Sequence, residues 1–168
     1  MGLIMHKRFA LLSLLALASI TPACAQSAGD MMGTPQATAS SAPSAQTLAD
    51  AQRVAAYVLP ETFFTHAADT LNALQAANIQ PPNTRGASLN DVIDRTAQVP
   101  QLPTLLQSHG FTVESFILGM SAFNMTIAAS QHHLPPNIPQ PAAQNLTAIQ
   151  NHPIQTSAIM QAMNGMQH

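Results

Sequence analysis

Prolines set the architecture this chain can adopt. There are thirteen of them in 168 residues, and a proline inside a helix removes a backbone hydrogen bond and clashes with the preceding turn, so helices are confined to the intervals between them. Those intervals carry a helical period. Leu48, Ala51, Ala55 and Val58 recur three or four residues apart, with Val54 and Leu59 beside them, until Pro60 intervenes. Pro60 suits a first helical turn and Glu61 suits its dipole. Phe63, Phe64, Ala67, Leu71, Leu74 and Ile79 then mark a second buried stripe, which Pro81-Pro82 and an Asn83–Gly86 turn bring to an end. Ser88 reads as the N-cap of a short helix that buries Leu89, Val92 and Ile93, with Asp91 in its first turn. Pro100 and Pro103 bracket a break, after which Leu102, Leu105 and Leu106 lead to a stop at His109-Gly110.

The segment Thr112 to Ser130 carries the strongest helical signal. Thr112 caps it, Glu114 favours its dipole, and Phe116, Ile117, Met120, Phe123, Ile127 and Ala128 give it an apolar surface wide enough for the centre of a bundle. Gly119 costs such a helix about 1 kcal/mol against alanine, so a second backbone is expected to pass close to it. The Pro-rich crossing Leu134–Gln144 is too constrained to be helical throughout. A last helical pattern runs from Ala142 to Asn164 with Leu146, Ile149, Ile159, Met160 and Met163 apolar, broken or kinked at Pro153 and ended by Gly165. No stretch alternates with period two, so no sheet is expected. The fold class is all-α: an irregular, Pro-interrupted bundle of about four to six helices, in a single domain over residues 46–168.

Ahead of that domain, His6, Lys7 and Arg8 precede the apolar run Phe9–Ile20, then Pro22 and Ala23-Cys24-Ala25. This is the three-part layout of a secretory signal peptide, and the run falls short of the ~20 residues a spanning helix needs. Residues 1–25 are read as that signal, cleaved after Ala25, with Met5 an alternative start. A lipoprotein acylated at Cys24 is the less favoured reading, because Thr21 and Pro22 fit that signal poorly. Residues 26–45 are small, polar and Pro-interrupted, with too little to bury to repay ordering, and read as a flexible linker. The expected location is the periplasm or the outside of the cell, with no integral membrane segment once the signal is removed.

Cleavage at Ala25 removes the only cysteine, and with it any thiolate metal site, disulfide or thiol nucleophile. The remaining chain holds three arginines, Arg53, Arg85 and Arg95, against seven carboxylates, a net charge of −4 with histidine neutral. Three scattered cations form no basic stripe, which argues against nucleic acid and against anionic membrane surfaces as partners.

Two pieces resemble a pattern found in small secreted all-helical proteobacterial proteins of unknown function. One is the turn and helix from Leu105 to Ala129, with Gly110, Thr112 and Phe116 in the positions of that pattern's glycine, cap and aromatic; the other is Asn145–Met163, similar to its closing helix. The resemblance covers about a third of the chain. It implies export and helices and carries no activity.

Histidine and methionine stand out in a chain so poor in charge. Met160, Met163 and Met166 step by three residues toward His168, and thioether and imidazole donors suit cuprous ions, so these four residues are the candidate metal ligands, with Met31, Met32, His132 and His133 as further donors. The competing reading makes Met160 and Met163 core filler on the stripe of Leu146, Ile149 and Ile159, and His132-His133 a solvated loop pair. His66 and Asp69, one turn apart, are spaced for a base oriented by a carboxylate, but no nucleophile or second carboxylate completes a catalytic set. Ser121 and Asn124 sit in the middle of the most apolar helix and are expected to form a polar core site, either lining a small cavity or fixing a neighbouring helix. His109 suits a helix C-terminus. No catalytic residue and no cofactor-binding residue is assigned. The expected function is that of a non-enzymatic binding or interaction protein, whose partner is a protein, a small apolar ligand or a second copy of the chain. Copper binding or metal buffering is the alternative, and an enzyme built on His66 and Asp69 the third.

Overall fold

The computed structural model describes residues 43–166, and all of the elements among them are helices: α1 (Ala45–Ala56), α2 (Glu61–Ala76), α3 (Leu89–Ala97), α4 (Leu102–Ser108), α5 (Val113–Ser130), α6 (Ala143–Asn151) and α7 (Pro153–Gly165). The expected signal peptide, Cys24, Met31, Met32, most of the linker, and His168 lie outside the described residues. Seven helices exceed the four to six expected, because the chain breaks fully at His152, whose backbone leaves the helical region (φ −119°, ψ 55°) ahead of Pro153. The all-helical class itself holds throughout the described residues.

Short polar side chains start three of these helices. Ser44 accepts the Thr47 N–H at 3.1 Å. Ser88 and Asp91 exchange hydrogen bonds as a capping box, and Thr112 does the same with Ser115 rather than with Glu114. Left-handed residues make several of the stops and turns: Asn78 follows α2, Gln101 precedes α4, Gly110 (φ 82°) turns α4 into α5, and His132 follows α5. The Gly110 turn sets α4 and α5 at 76° to one another.

Helix α5 lies against α1, α3, α4 and α6, while α2 packs on α7 and α4. Helices α2 and α7 run parallel. At their starts, Phe64 stacks on His152 (centroids 4.7 Å apart); at their ends, Gln75 Nε2 donates to the Gly165 carbonyl at 3.2 Å. The core is organised around the Phe63 ring of α2, which meets Phe64, Phe111 and Phe123 at centroid distances of 5.6, 6.3 and 5.8 Å. Phe63, Phe64, Phe123, Leu106 and Ile159 are fully enclosed. A glycine at 119 is required here by a ring rather than by a backbone: a Cβ built on Gly119 would lie 2.9 Å from Cδ2 and Cε2 of Phe63. No single helix among the described residues is long and apolar enough to cross a membrane.

Candidate functional site

The expected polar core site does not form. Asn124 is exposed and Ser121 half-buried on α5. The interior amide is Asn145, which is completely enclosed. It sits at the start of α6 and replaces the backbone bonds missing between α1 and α2, where Pro60 separates the two helices. Its Oδ1 accepts the Leu59 N–H at 2.9 Å, and its Nδ2 donates to the Tyr57 carbonyl at 2.8 Å. Beside it the Ala142 N–H donates to the Ala55 carbonyl at 2.9 Å, so the chain emerging from the Pro-rich crossing is sewn to the α1–α2 junction. Burial and the Glu114 carboxylate hold the Tyr57 phenol above its ordinary pKa. Nothing in the spacing around Asn145 marks it as buried; the only cue was its place one turn after the last proline of a crossing.

The other sequence candidates are dispersed. His66 and Asp69 are both exposed on α2, and the hydrogen bond that would orient the imidazole is not formed. The His66 ring instead stands edge-on to Phe111, with centroids 6.4 Å apart, above Gly110. His132 and His133 are exposed beyond α5, and His109 is the C-cap of α4 as its sequence position suggested. Met160 is exposed on α7, whereas Met163 and Met166 are half-buried and packed against the core. Among the described residues, no three His, Cys, Asp or Glu side chains converge as a metal-binding group.

A histidine that sequence reasoning passed over is held more firmly. At the α6–α7 break, His152 stacks on Phe64 and places Nε2 3.0 Å from Oε1 of the exposed Glu61. The two line a shallow groove with Gln144, Thr147 and Asn151 of α6. The His-Pro dipeptide ending one helix and starting the next was the available signal.

The most unusual surface is the outer face of α7. Ile154 is 79% exposed there; the other large apolar side chains left exposed among the described residues are Val58, between α1 and α2, at 51%, and Met160, on the flank of α7, at 38%. Ile154, Pro153, Ser157, Ala158 and Gln161 line a shallow concavity on that face, and Gln161 Nε2 donates to Ser157 Oγ at 3.3 Å. No Asp, Glu, Lys or Arg occurs after Glu114 in the whole sequence, so neither α6 nor α7 contributes a formal charge. The charged groups of the described residues are carried by α1, α2, α3 and α5 and by Arg85, and they include the ion pair of Arg53 with Glu114. Compared with known protein families, curated proteins and solved structures, the chain shows no significant match.

Proposed function

We propose that this is a non-enzymatic binding or interaction protein of the periplasm or the cell exterior, and that it docks its partner on the outer face of α7. The observation that carries the reading is Ile154. A branched apolar side chain left 79% exposed on a helix, in a face without formal charge, is costly to keep in water and favourable to cover. A partner that covers it gives up no ion hydration on this side, because the groups around Ile154 are proline, alanine, serine and glutamine. The signal-like N-terminus supports the location, and the scattering of His66 and Asp69 from any second catalytic group supports a role without chemistry.

The test is site-specific photo-crosslinking in cells that export the protein, with a photoreactive residue at position 154 and a control at Asn72, an exposed position on α2. A discrete adduct from position 154 that is missing from position 72 is expected. Absence of any adduct at 154 refutes the docking surface.

A further inference from the structure

We propose that Asn164 is a self-modifying site: the backbone nitrogen of Gly165 attacks its side-chain amide, and the residue converts to aspartate and isoaspartate at a rate gated by Gln75.

The chemistry starts from one dipeptide. Asn164-Gly165 is the one Asn-Gly step in the chain. Glycine leaves the attacking nitrogen unhindered, and its backbone turns more freely than that of any other residue toward the geometry of ring closure. The nitrogen gives up its proton to a base in solution and bonds to Asn164 Cγ. The bond from Cγ to the amide nitrogen breaks, ammonia departs, and a cyclic succinimide remains. Water then adds to either ring carbonyl and the ring opens. Cleavage at Cγ gives aspartate, whereas cleavage at the original peptide carbonyl gives isoaspartate, whose main chain runs through the former side chain. Each conversion consumes one water and releases one ammonia, with no change of oxidation state.

The fold decides how fast this happens. Asn164 is exposed in the last turn of α7, where water and base reach it. In helical backbone the Gly165 N–H points back toward the carbonyl four residues earlier, away from the Asn164 side chain, so the turn must open before the ring closes. No left-handed residue seals that turn, because Met166 keeps right-handed angles (φ −79°, ψ −8°). It is held by the Met166 N–H on the Met163 carbonyl at 3.3 Å, by Gln75 Nε2 on the Gly165 carbonyl at 3.2 Å, and by Met166 packed against the core. Both hydrogen bonds are long, and terminal turns open at little cost in free energy. Gln75 sits so close that a Cβ built on Gly165 would lie 3.2 Å from its Nε2. Asn145 is the opposite case, with its amide enclosed and bonded at both atoms.

Conversion changes the end of the helix. It puts a carboxylate at the unfavourable end of the helix dipole, in a stretch that otherwise carries no formal charge after Glu114. Isoaspartate also adds a methylene to the main chain ahead of Gly165, which carries the Gly165 carbonyl away from Gln75. The modified α7 is therefore loosened from α2 at its end.

The experiment holds the exported, purified protein for weeks in mildly alkaline and in mildly acidic buffer, beside the same protein unfolded in urea. Peptide mass spectrometry that separates aspartate from isoaspartate reads conversion at each asparagine, for the wild type, Gln75→Ala and Gly165→Ala, with circular dichroism verifying the helices. Folded wild type should convert at Asn164 ahead of every other asparagine, faster in alkali, and more slowly than the unfolded chain. Gln75→Ala should speed the folded reaction about two- to threefold, the effect of losing one exposed hydrogen bond, and leave the unfolded rate unchanged. Gly165→Ala should slow conversion severalfold, most cleanly in the unfolded chain. An Asn164 that stays intact in the folded protein while the unfolded chain converts overturns the site, and a folded rate that Gln75→Ala leaves unchanged overturns the gate.

Discussion

The sharpest test of the fold is Asn145, because one side chain there replaces two backbone hydrogen bonds. Asn145→Ala leaves the Leu59 N–H and the Tyr57 carbonyl without the partners they have at 2.9 and 2.8 Å. A buried backbone group left unpaired costs about 1–3 kcal/mol. Leu59 is only 5% exposed, so its N–H incurs most of that cost, while the half-buried Tyr57 leaves its carbonyl partial access to water. Together with the lost contacts of the amide, the expected destabilisation is about 3 kcal/mol. A domain of this size has roughly 5–15 kcal/mol in total, so the variant folds, with Tm lower by about 10 °C. Asn145→Asp has nearly the same shape and separates the two bonds. Its carboxylate still accepts from Leu59 but presents an oxygen to the Tyr57 carbonyl where the amide presented N–H. Burial and that carbonyl both favour the protonated acid, which can donate, so the folded-state pKa of the new carboxyl lies above its unfolded value. A raised folded pKa contributes stability that is fully present below the unfolded pKa and lost as pH rises through the folded pKa. The deficit of Asn145→Asp relative to wild type is therefore largest at neutral pH and shrinks on acidification. Urea unfolding followed by far-ultraviolet circular dichroism at about pH 7.5 and at about pH 4, above and within the carboxylate range, reads both effects. A cost under about 1 kcal/mol for Asn145→Ala, or a deficit of Asn145→Asp that does not vary with pH, would refute the role assigned to this amide.

Four further outcomes are expected. Gly119→Ala gains helix propensity of about 1 kcal/mol but drives a Cβ to 2.9 Å from the Phe63 ring; overpacking of about 1–3 kcal/mol should make the net effect destabilising in urea titrations, and a stabilised variant would show that the ring moves freely. Ser88→Ala removes the cap of α3 and should cost about 1 kcal/mol. The Ser88 hydroxyl and N–H lower the Asp91 pKa; a depressed carboxylate contributes stability that is present above its unfolded pKa and lost as pH falls through the folded one, so the Ser88→Ala penalty should diminish in acid. His152→Ala loses the stack on Phe64 and should cost more than Glu61→Gln, because the Glu61 side chain is 80% exposed; equal costs would assign the value to the His152–Glu61 contact instead. Because Met163 and Met166 are packed on the core, removal of the residues after Gly165 should leave any Cu(I) adduct in native mass spectra unchanged, and a stoichiometric adduct lost on truncation would favour the metal reading.

Local rules made the helices legible. Ser88 and Thr112 start helices because their side chains serve the first free N–H groups, and Gly110 stops one because its backbone is left-handed; Ser44 does the same for α1 from within the stretch read as linker. Each of these signals depends on residues within one turn of each other, which is the range over which a sequence constrains its own backbone. The stripe Phe63, Phe64, Ala67, Leu71, Leu74 is buried as its spacing requires. On α5 the same reasoning reached its limit. A helix apolar on nearly every side offers no polar face from which to decide which way it points, so Asn124 in its middle was assigned to the interior and lies outside, while the enclosed amide is Asn145, on a helix of mixed composition. The difference is made by a partner 86 residues away, the Leu59 N–H, whose need for an acceptor arises only when Pro60 has interrupted the helix hydrogen bonding.

The same distinction explains why the α7 face was hard to read. Its period placed Ile159 and Met163 toward the core, and both are there to different degrees, but the expected buried stripe also included Met160, which is exposed. Packing on α2 uses only one side of α7, through Thr156, Ile159 and Ala162, and the parallel arrangement of those two helices depends on the whole path of the chain between them. Which apolar residues are left over is thus decided by topology rather than by spacing. Ile154 is the residue for which the distinction matters most: one position after Pro153, it has the composition of a core residue and the exposure of a contact residue. Most of its apolar surface gains nothing from the folded monomer, so it is the position at which contact with a second molecule is tested.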